Sequence, residues 1–268
     1  MTAPAAAAVP GPGGHAGTRS WLQLAWLHTR FQLLETVRVP VAVIGNLLFP
    51  GVALLFFVVP QPAVAGDPLI AVAAVAQLGT FAVMSACLFS LGAGVAEDRA
   101  LAFDPYVRTL PAGAGPRLAG RIVTGVVFCL AAQVPVIAIA VLLTEASTSP
   151  WRLVGGLAMV PLVAVPFLLL GLAIGYALPA KAALAVVQAV LFPLAFAGGL
   201  FLPPESFPAW LDGVSQALPS RAARDLAVQV TTGYEGSTAA LPVLLGWTAV
   251  FAVLAVLAYR RDEGRRFR

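Results

Sequence analysis

The stretch that decides the fold is residues 153–202, which read LVGGLAMVPLVAVPFLLLGLAIGYALPAKAALAVVQAVLFPLAFAGGLFL. Lys181 is its only charged residue, and Pro179 stands two positions earlier. About 20 apolar residues in a helix cross the hydrocarbon core of a bilayer, so this stretch is too long for a single crossing. Because a proline and a charge interrupt the apolar run at the same point, the stretch predicts two transmembrane helices, 153–178 and 182–202, joined as a hairpin.

The remainder of the chain has the same apolar character. Its 268 residues are 60% hydrophobic and only 10% charged, and the mean hydropathy is +0.91. Since an ordinary soluble domain carries about 25% charged residues, this composition excludes a soluble enzyme, a nucleic-acid-binding protein and a disordered chain. Four further uncharged apolar runs complete a predicted all-α polytopic membrane protein with six transmembrane helices. These runs are residues 41–60, 69–95, 122–143 and 240–259.

The positive charges are unevenly distributed between the two predicted sides of the membrane. Thirteen of the 16 Lys and Arg residues fall on the side that carries both ends of the chain, and three fall on the other side. Lys and Arg are enriched in cytoplasmic loops. We therefore expect both the N- and the C-terminus to lie in the cytoplasm.

The segments outside the six runs complete the predicted organisation. Residues 1–18 are rich in Ala, Pro and Gly and predict a disordered tail without the pattern of a signal peptide, which leaves 19–268 as one transmembrane domain. Residues 21–38 predict a partly amphipathic helix in the membrane interface, and a plain cytoplasmic extension of the first span is the alternative. Short helices are expected on the outer side between the fifth and sixth spans.

Catalytic and metal-binding chemistry is missing from the predicted spans. Both histidines precede the first span, no carboxylate lies within any span, and Cys87 and Cys129 are isolated in apolar runs. A proton-coupled carrier usually has an ionisable residue at membrane depth, and the sequence contains no GxxxxGK[ST] phosphate loop. We therefore expect no catalytic residue, no cofactor site and no metal site in this chain. A membrane enzyme, an assembly factor and a gradient-driven carrier are disfavoured for the same reason.

Several uncharged polar residues remain inside the spans. Such groups usually form hydrogen bonds between helices, and contact with a transported molecule is the alternative reading. The candidates for such a substrate path are Asn46, Gln77 and Gln188.

Two segments carry a resemblance to a known family. Residues 94–123 read GVAEDRALAFDPYVRTLPAGAGPRLAGRIV, and residues 198–227 read GGLFLPPESFPAWLDGVSQALPSRAARDLA. The first resembles the cytoplasmic loop of type-2 ABC transporter permeases, the membrane subunits of drug and polysaccharide exporters. The second resembles the G-x-x-F-P…P-x-W-L…L-x-P signature that follows the fifth span of these permeases. The matching residues are Glu97, Asp98, Arg99, Leu110, Pro111, Gly120 and Arg121 in the first segment, and Gly198, Gly199, Phe201, Pro203, Pro208, Trp210, Leu211, Leu218 and Pro219 in the second.

The resemblance implies a permease subunit of an ATP-driven exporter in a bacterial plasma membrane. It implies two copies of a cytoplasmic ATPase, which would bind the Mg–ATP, together with a second copy of this chain or a related permease and surrounding lipid. The cargo would be a hydrophobic or amphipathic small molecule such as a drug, an antibiotic or a lipid-like compound, with a polysaccharide or a lipid-linked glycan as the alternative. The residues expected to couple to the ATPase are Glu97, Asp98, Arg99, Phe103, Tyr106, Leu110 and Arg121.

Overall fold

The computed structural model describes residues 20–38, 40–102 and 115–266, and within these ranges the side chains of residues 36, 40–46 and 264–266 are left undescribed. The predicted disordered tail, residues 1–18, lies outside the described part of the chain. All regular structure in the described ranges is helical. This confirms the predicted all-α fold.

Eleven α-helices occur in the described ranges, together with one π-helical turn and one short 3₁₀ turn. They are α1 (Trp21–Arg38), α2 (Pro40–Phe57), α3 (Pro62–Ala65), α4 (Pro68–Cys87), the π turn (Leu88–Ala93), α5 (Gly94–Ala100), α6 (Gly115–Leu143), α7 (Pro150–Ala177), α8 (Ala180–Ala197), the 3₁₀ turn (Pro204–Ser206), α9 (Ala209–Ser215), α10 (Pro219–Thr232) and α11 (Ala240–Arg266).

Five helical stretches in the described part of the chain are long and apolar enough to cross a membrane. They are Pro68–Ala100, Gly115–Leu143, Pro150–Ala177, Ala180–Ala197 and Ala240–Glu263. The remaining predicted span, 41–60, corresponds to α2, whose residues Leu47–Phe57 form a shorter apolar helix. The chain is therefore a polytopic helical membrane protein.

Local sequence signals explain where the spans begin. The Asp67 side chain accepts hydrogen bonds from the backbone N–H groups of Leu69 and Ile70, both at 2.9 Å, so it caps α4. Ser149 caps α7 in the same way. A proline follows each cap, and proline suits the first helical position because no intrahelical partner exists there for its missing N–H.

Several predicted span boundaries differ from the structure. The third span begins at Gly115 rather than at residue 122, and the sixth continues beyond residue 259. The fifth span ends at Ala197 rather than at residue 202, because Gly198 and Gly199 turn the chain and Gly199 has a φ of +73° that favours glycine. The second span continues through the π turn to Ala100 rather than ending at residue 95. The predicted hairpin at Pro179 is confirmed, since α7 ends at Ala177 and α8 begins at Ala180.

Close backbone packing surrounds the π turn. A Cβ atom on Gly171 of α7 would lie 2.9 Å from the Cys87 carbonyl oxygen and 3.1 Å from Leu91 Cβ. Gly175, one turn further along, also faces the π turn. The GxxxG pattern of α7 therefore brings two helices of the same subunit together, as small residues do at membrane helix contacts.

The helices have two distinct ends. We call the end formed by residues 97–100, 115–121, 177–181 and 260–263 the charged end, because it carries ion pairs that cross between helices. We call the opposite end, formed by residues 58–67, 144–149 and 203–239, the loop end. There, the Glu145 N–H donates to the Ala65 carbonyl at 2.8 Å, which joins two of the connecting segments.

Candidate substrate cleft and coupling end

Arg99 joins three parts of the chain at the charged end. It pairs with the carboxylate of Asp262, and its Nη1 donates to the carbonyl oxygens of Gly175 at 2.5 Å and Leu178 at 3.2 Å. The Arg99 side chain is 15% exposed and the Asp262 side chain is 4% exposed. Its guanidinium also lies 5.7 Å from the centre of the Tyr176 ring, within cation–π range. The Nη1 and Nη2 donors of Arg99 are therefore used inside the bundle rather than at a solvated surface.

The structure describes three of the other predicted coupling residues, and the remaining three lie outside the described ranges. Asp98 pairs with Arg121 at 2.7 Å and so links the end of α5 to the start of α6. Glu97 is exposed on α5. Phe103, Tyr106 and Leu110 lie outside the described residues, so the structure places only the two ends of the predicted coupling loop.

The helix α1 packs along α6 with its polar side. Thr29 is 2% exposed, and the Thr124 hydroxyl donates to the Gln32 Oε1 at 3.2 Å. A Cβ on Gly120 would lie 2.7 Å from His28 Cβ, so glycine permits the close approach. The large apolar side chains Trp26, Phe31 and others of α1 are exposed instead, which suits a helix that faces lipid on its outer side. The structure gives this helix the bounds Trp21–Arg38, and its place in the membrane interface stays a prediction.

His28 lies between two cations at this contact. Burial lowers the pKa of its imidazole below the ordinary value of 6.5, and the positive charges of Arg117 and Arg121 lower it further. The neutral form of His28 is therefore favoured where α1 meets α6.

A cleft of about 660 Å³ extends inward from the charged end. It is bounded by α1, α2, α4, the π turn, α5, α6 and α8, and its volume lies within the range of small-molecule sites. Charged side chains surround its outer part, uncharged polar groups lie further in, and phenylalanine rings together with aliphatic and small residues line the remainder. The charged lining is Glu35, Glu97, Asp98 and Arg121, the polar lining is Gln32, Ser85, Ser90, Thr124 and Gln188, and the aromatic lining is Phe49, Phe81, Phe89, Phe128 and Phe192.

Five phenylalanine rings lie together at the inner limit of the cleft. We call Phe49, Phe57, Phe81, Phe196 and Phe201 the aromatic cluster. The ring centres of Phe201 lie 4.7 Å from Phe81, 4.9 Å from Phe196 and 6.0 Å from Phe57, and those of Phe49 and Phe81 are 5.8 Å apart. Phe201 comes from the segment after α8, and the others come from α2, α4 and α8. Phe49 and Phe81 also line the cleft, so the cluster borders the cleft on the side of the loop end.

The three candidate path residues lie in different surroundings. Gln188 is exposed and lines the cleft. Gln77 is buried near the loop end, where its amide oxygen accepts from Arg224 Nη2 at 2.7 Å and from Arg224 Nε at 3.1 Å. It lies outside the cleft and ties α4 to α10. The side chain of Asn46 falls outside the described residues.

The helix α10 is fixed by an ionic network at the loop end. Arg221 Nε donates to Asp225 at 2.9 Å, and Arg224 Nη1 donates to the same carboxylate at 2.8 Å. Arg152 Nη1 donates to the Thr232 carbonyl at 2.7 Å, which attaches the end of α10 to the start of α7. This end of the molecule is therefore closed by polar contacts as well as by aromatic rings.

With this geometry established, comparison with known proteins decides the family. The ABC-2 type transporter family matches residues 23–231, well over half of the chain. The chain belongs to the ABC-2 type transporter family. A relative from Bacillus subtilis (strain 168), described as "Putative transport permease YvfS", is 21% identical over 187 residues, which cover 70% of this chain and 76% of that protein.

Membership of the ABC-2 type family settles the general role. The chain is a membrane subunit of an ABC transporter, and such a permease is not itself catalytic. The family implies an ABC ATPase partner and a dimer of permeases. The matched range includes the cleft, the charged end up to α8 and the segment that supplies Phe201.

Sequence reasoning missed Asp262 and Arg224 as residues of structural or functional interest. Asp262 lies in the charged run YRRDEGRR, and nothing in that run distinguishes the buried acid from the exposed ones. Arg224 carries a detectable signal, because α10 has charged residues at positions 221, 224 and 225 beside alanines, as in a helix with one buried side.

Proposed function

We propose that this chain is the permease subunit of an ATP-driven exporter that moves a hydrophobic or amphipathic small molecule out of a bacterial cell. The observation that supports the proposal is the cleft, which has phenylalanine rings inside and charged groups at its mouth. A molecule with an apolar body and a polar end would match this gradient. A long glycan would exceed a cleft of about 660 Å³, and the apolar inner part would leave many of its hydroxyl groups without hydrogen bonds.

The proposed orientation places the charged end in the cytoplasm, as the distribution of Lys and Arg favours. Two copies of a cytoplasmic ATPase would then bind the segment between α5 and α6 of two permeases. Arg99 would support this segment from inside the bundle, since it joins α5 to the α7–α8 turn and to α11. A movement of the segment would therefore be transmitted to three other helices.

The test is a substitution that fills the cleft with a large side chain and leaves the buried residues of the bundle unchanged. Gln188 and Ala189 are neighbouring exposed residues of α8, but only Gln188 lines the cleft. In a reconstituted complex with its ATPase, we expect Gln188→Trp to weaken the stimulation of ATP hydrolysis by amphipathic compounds by about tenfold, equivalent to about 1.4 kcal/mol of binding. Ala189→Trp should behave like the unchanged protein.

The measurement is the concentration of each compound that gives half-maximal ATPase stimulation, together with its uptake into inside-out vesicles. Equal stimulation and uptake in the Gln188→Trp complex and the unchanged complex would contradict the cleft as the site of entry. Stimulation by glycans alone would favour the other cargo class.

A further inference from the structure

A second cavity of about 280 Å³ lies in the half of the molecule nearer the loop end. It is bounded by α4, α6, α7 and α10, and it shares no lining residue with the cleft. Its walls are mostly valine, alanine and leucine, and the exposed side chains Val141 and Leu153 border its mouth. The cavity is therefore accessible from the surface that faces lipid.

One side chain in this cavity has an unused hydrogen-bonding atom. Gln133 is 7% exposed, and its Nε2 donates to the carbonyl oxygens of Gly79 at 3.1 Å and Cys129 at 3.2 Å. Its Oε1 accepts no hydrogen bond from any residue in the described ranges. The oxygen lies at the wall of the cavity. An acceptor without a donor costs free energy in an apolar environment, so this oxygen favours an occupant that supplies one.

The neighbouring polar group cannot satisfy the Gln133 oxygen. The Thr80 hydroxyl lines the same cavity, but it donates to the Ala76 carbonyl at 2.9 Å and presents only its lone pairs to the interior. The oxygen atoms that Gln133 and Thr80 present to the cavity are therefore both acceptors. A ligand that fits must bring a donor.

Water alone fits this cavity poorly. The volume corresponds to about nine water molecules at about 30 Å³ each, and every buried water needs two to four polar partners. Gln133 and Thr80 can serve one or two waters, and Ser147, Thr148 and Thr231 also line the cavity, whereas the remaining valine, alanine and leucine walls offer nothing to the other waters. A mostly apolar molecule would fill the same space without leaving hydrogen bonds unmade.

We propose that this cavity binds a compact apolar molecule with a single hydrogen-bond donor, such as an alkylated phenol or a branched alcohol, whose hydroxyl group donates to Gln133 Oε1. Ala227 and Thr231 of α10 line the cavity, so the occupant also packs against the helix that closes the loop end. The cavity is separate from the cleft, so this proposal does not depend on the proposed cargo class.

The test uses a matched pair of photoactivatable probes on the full-length chain in lipid nanodiscs. One probe is an ortho-dialkylphenol that carries a diazirine, and the other is its O-methyl ether, which is larger by one methyl group and has no donor. We expect the phenol to label peptides from α4, α6 and α7 that line the cavity about three- to tenfold more than the ether does, as one hydrogen bond would give. Unlabelled phenol should compete, and unlabelled ether should compete less.

Variants separate the hydrogen bond from the shape of the cavity. Gln133→Leu should reduce labelling by the phenol to the level of the ether, and Ala76→Trp, which fills the cavity, should abolish labelling by both. Gln216→Leu is the control, because Gln216 is exposed on the loop end and bonds only to Asp212. Equal labelling by the two probes in the unchanged protein would overturn the donor requirement. Absence of labelling in the cavity of the unchanged protein would overturn the proposal, and this outcome needs no variant.

Discussion

Arg99 and Asp262 form a largely buried ion pair at the charged end. A buried pair of this kind is costly to break, because removal of one partner leaves the other charge without compensation. Arg99 also donates to two backbone carbonyls, so its loss would leave acceptors unsatisfied where α7 turns into α8.

We predict that Asp262→Ala destabilises the protein by about 3 kcal/mol, in line with other broken buried pairs. The neighbouring change Glu263→Ala should cost less than about 1 kcal/mol, because Glu263 is exposed and accepts only from Tyr259. The measurement is the unfolding midpoint of the purified chain in detergent. Similar midpoints for the two variants would show that the Arg99 pair contributes little.

At the scale of helices, the attachment of α1 to α6 depends on small and polar contacts. The Gly120 position lets the backbones approach, and His28 lies in the contact beside Arg117 and Arg121. Because the pKa of His28 is lowered in the folded state, the unfolded or detached state binds more protons between that lowered pKa and 6.5. Acidification through this range therefore weakens the folded contact.

We predict that the thermal midpoint of the protein decreases when the pH is lowered from 7.5 to 5.5. His28→Gln should make this decrease smaller, since glutamine does not titrate. Stability contributed by neutral His28 is present above about pH 6.5 and is lost as the pH drops below it. The measurement is the midpoint at several pH values for the two proteins. Identical pH profiles would exclude His28 as a source of the dependence.

For the molecule as a whole, the closed state depends on the aromatic cluster between the cleft and the loop end. Phe201 touches three of the other rings and is supplied by a short segment held by the Gly198–Gly199 turn. Loss of this ring would open a gap where the cleft now ends.

We predict that Phe201→Ala raises ATP-independent flux of a transported compound across proteoliposomes several-fold and reduces the dependence of ATP hydrolysis on that compound. Phe56→Ala is the matched control, because Phe56 is exposed and lies outside the cluster. Both variants should be compared by flux without nucleotide and by ATPase stimulation. If the ATP-independent flux through the Phe201→Ala protein equalled that of the Phe56→Ala control, the closure would lie elsewhere.

Much of the fold could be predicted from the sequence because the spans are long apolar runs separated by charges, prolines and glycines. The hairpin at Pro179 and the bounds of α1 follow from such local signals. The site could be predicted only in part, because partners distant in the sequence are invisible to local patterns. Gln77 has no feature that indicates Arg224 as its partner, and Arg99 has none that indicates Asp262. The loop residues Phe103, Tyr106 and Leu110 stay predictions.

The unbroken helical path from Pro68 to Ala100 has a mechanical consequence. At about 1.5 Å per residue, its 33 residues span about 50 Å, well beyond a hydrocarbon core of about 30 Å. A helix of this length would project from the bilayer, and it ends next to the segment proposed to bind the ATPase. If this helix tilted by about ten degrees about Pro68, its other end at Ala100 would move by about 9 Å. Small changes in angle would therefore become large displacements at the proposed contact with the ATPase.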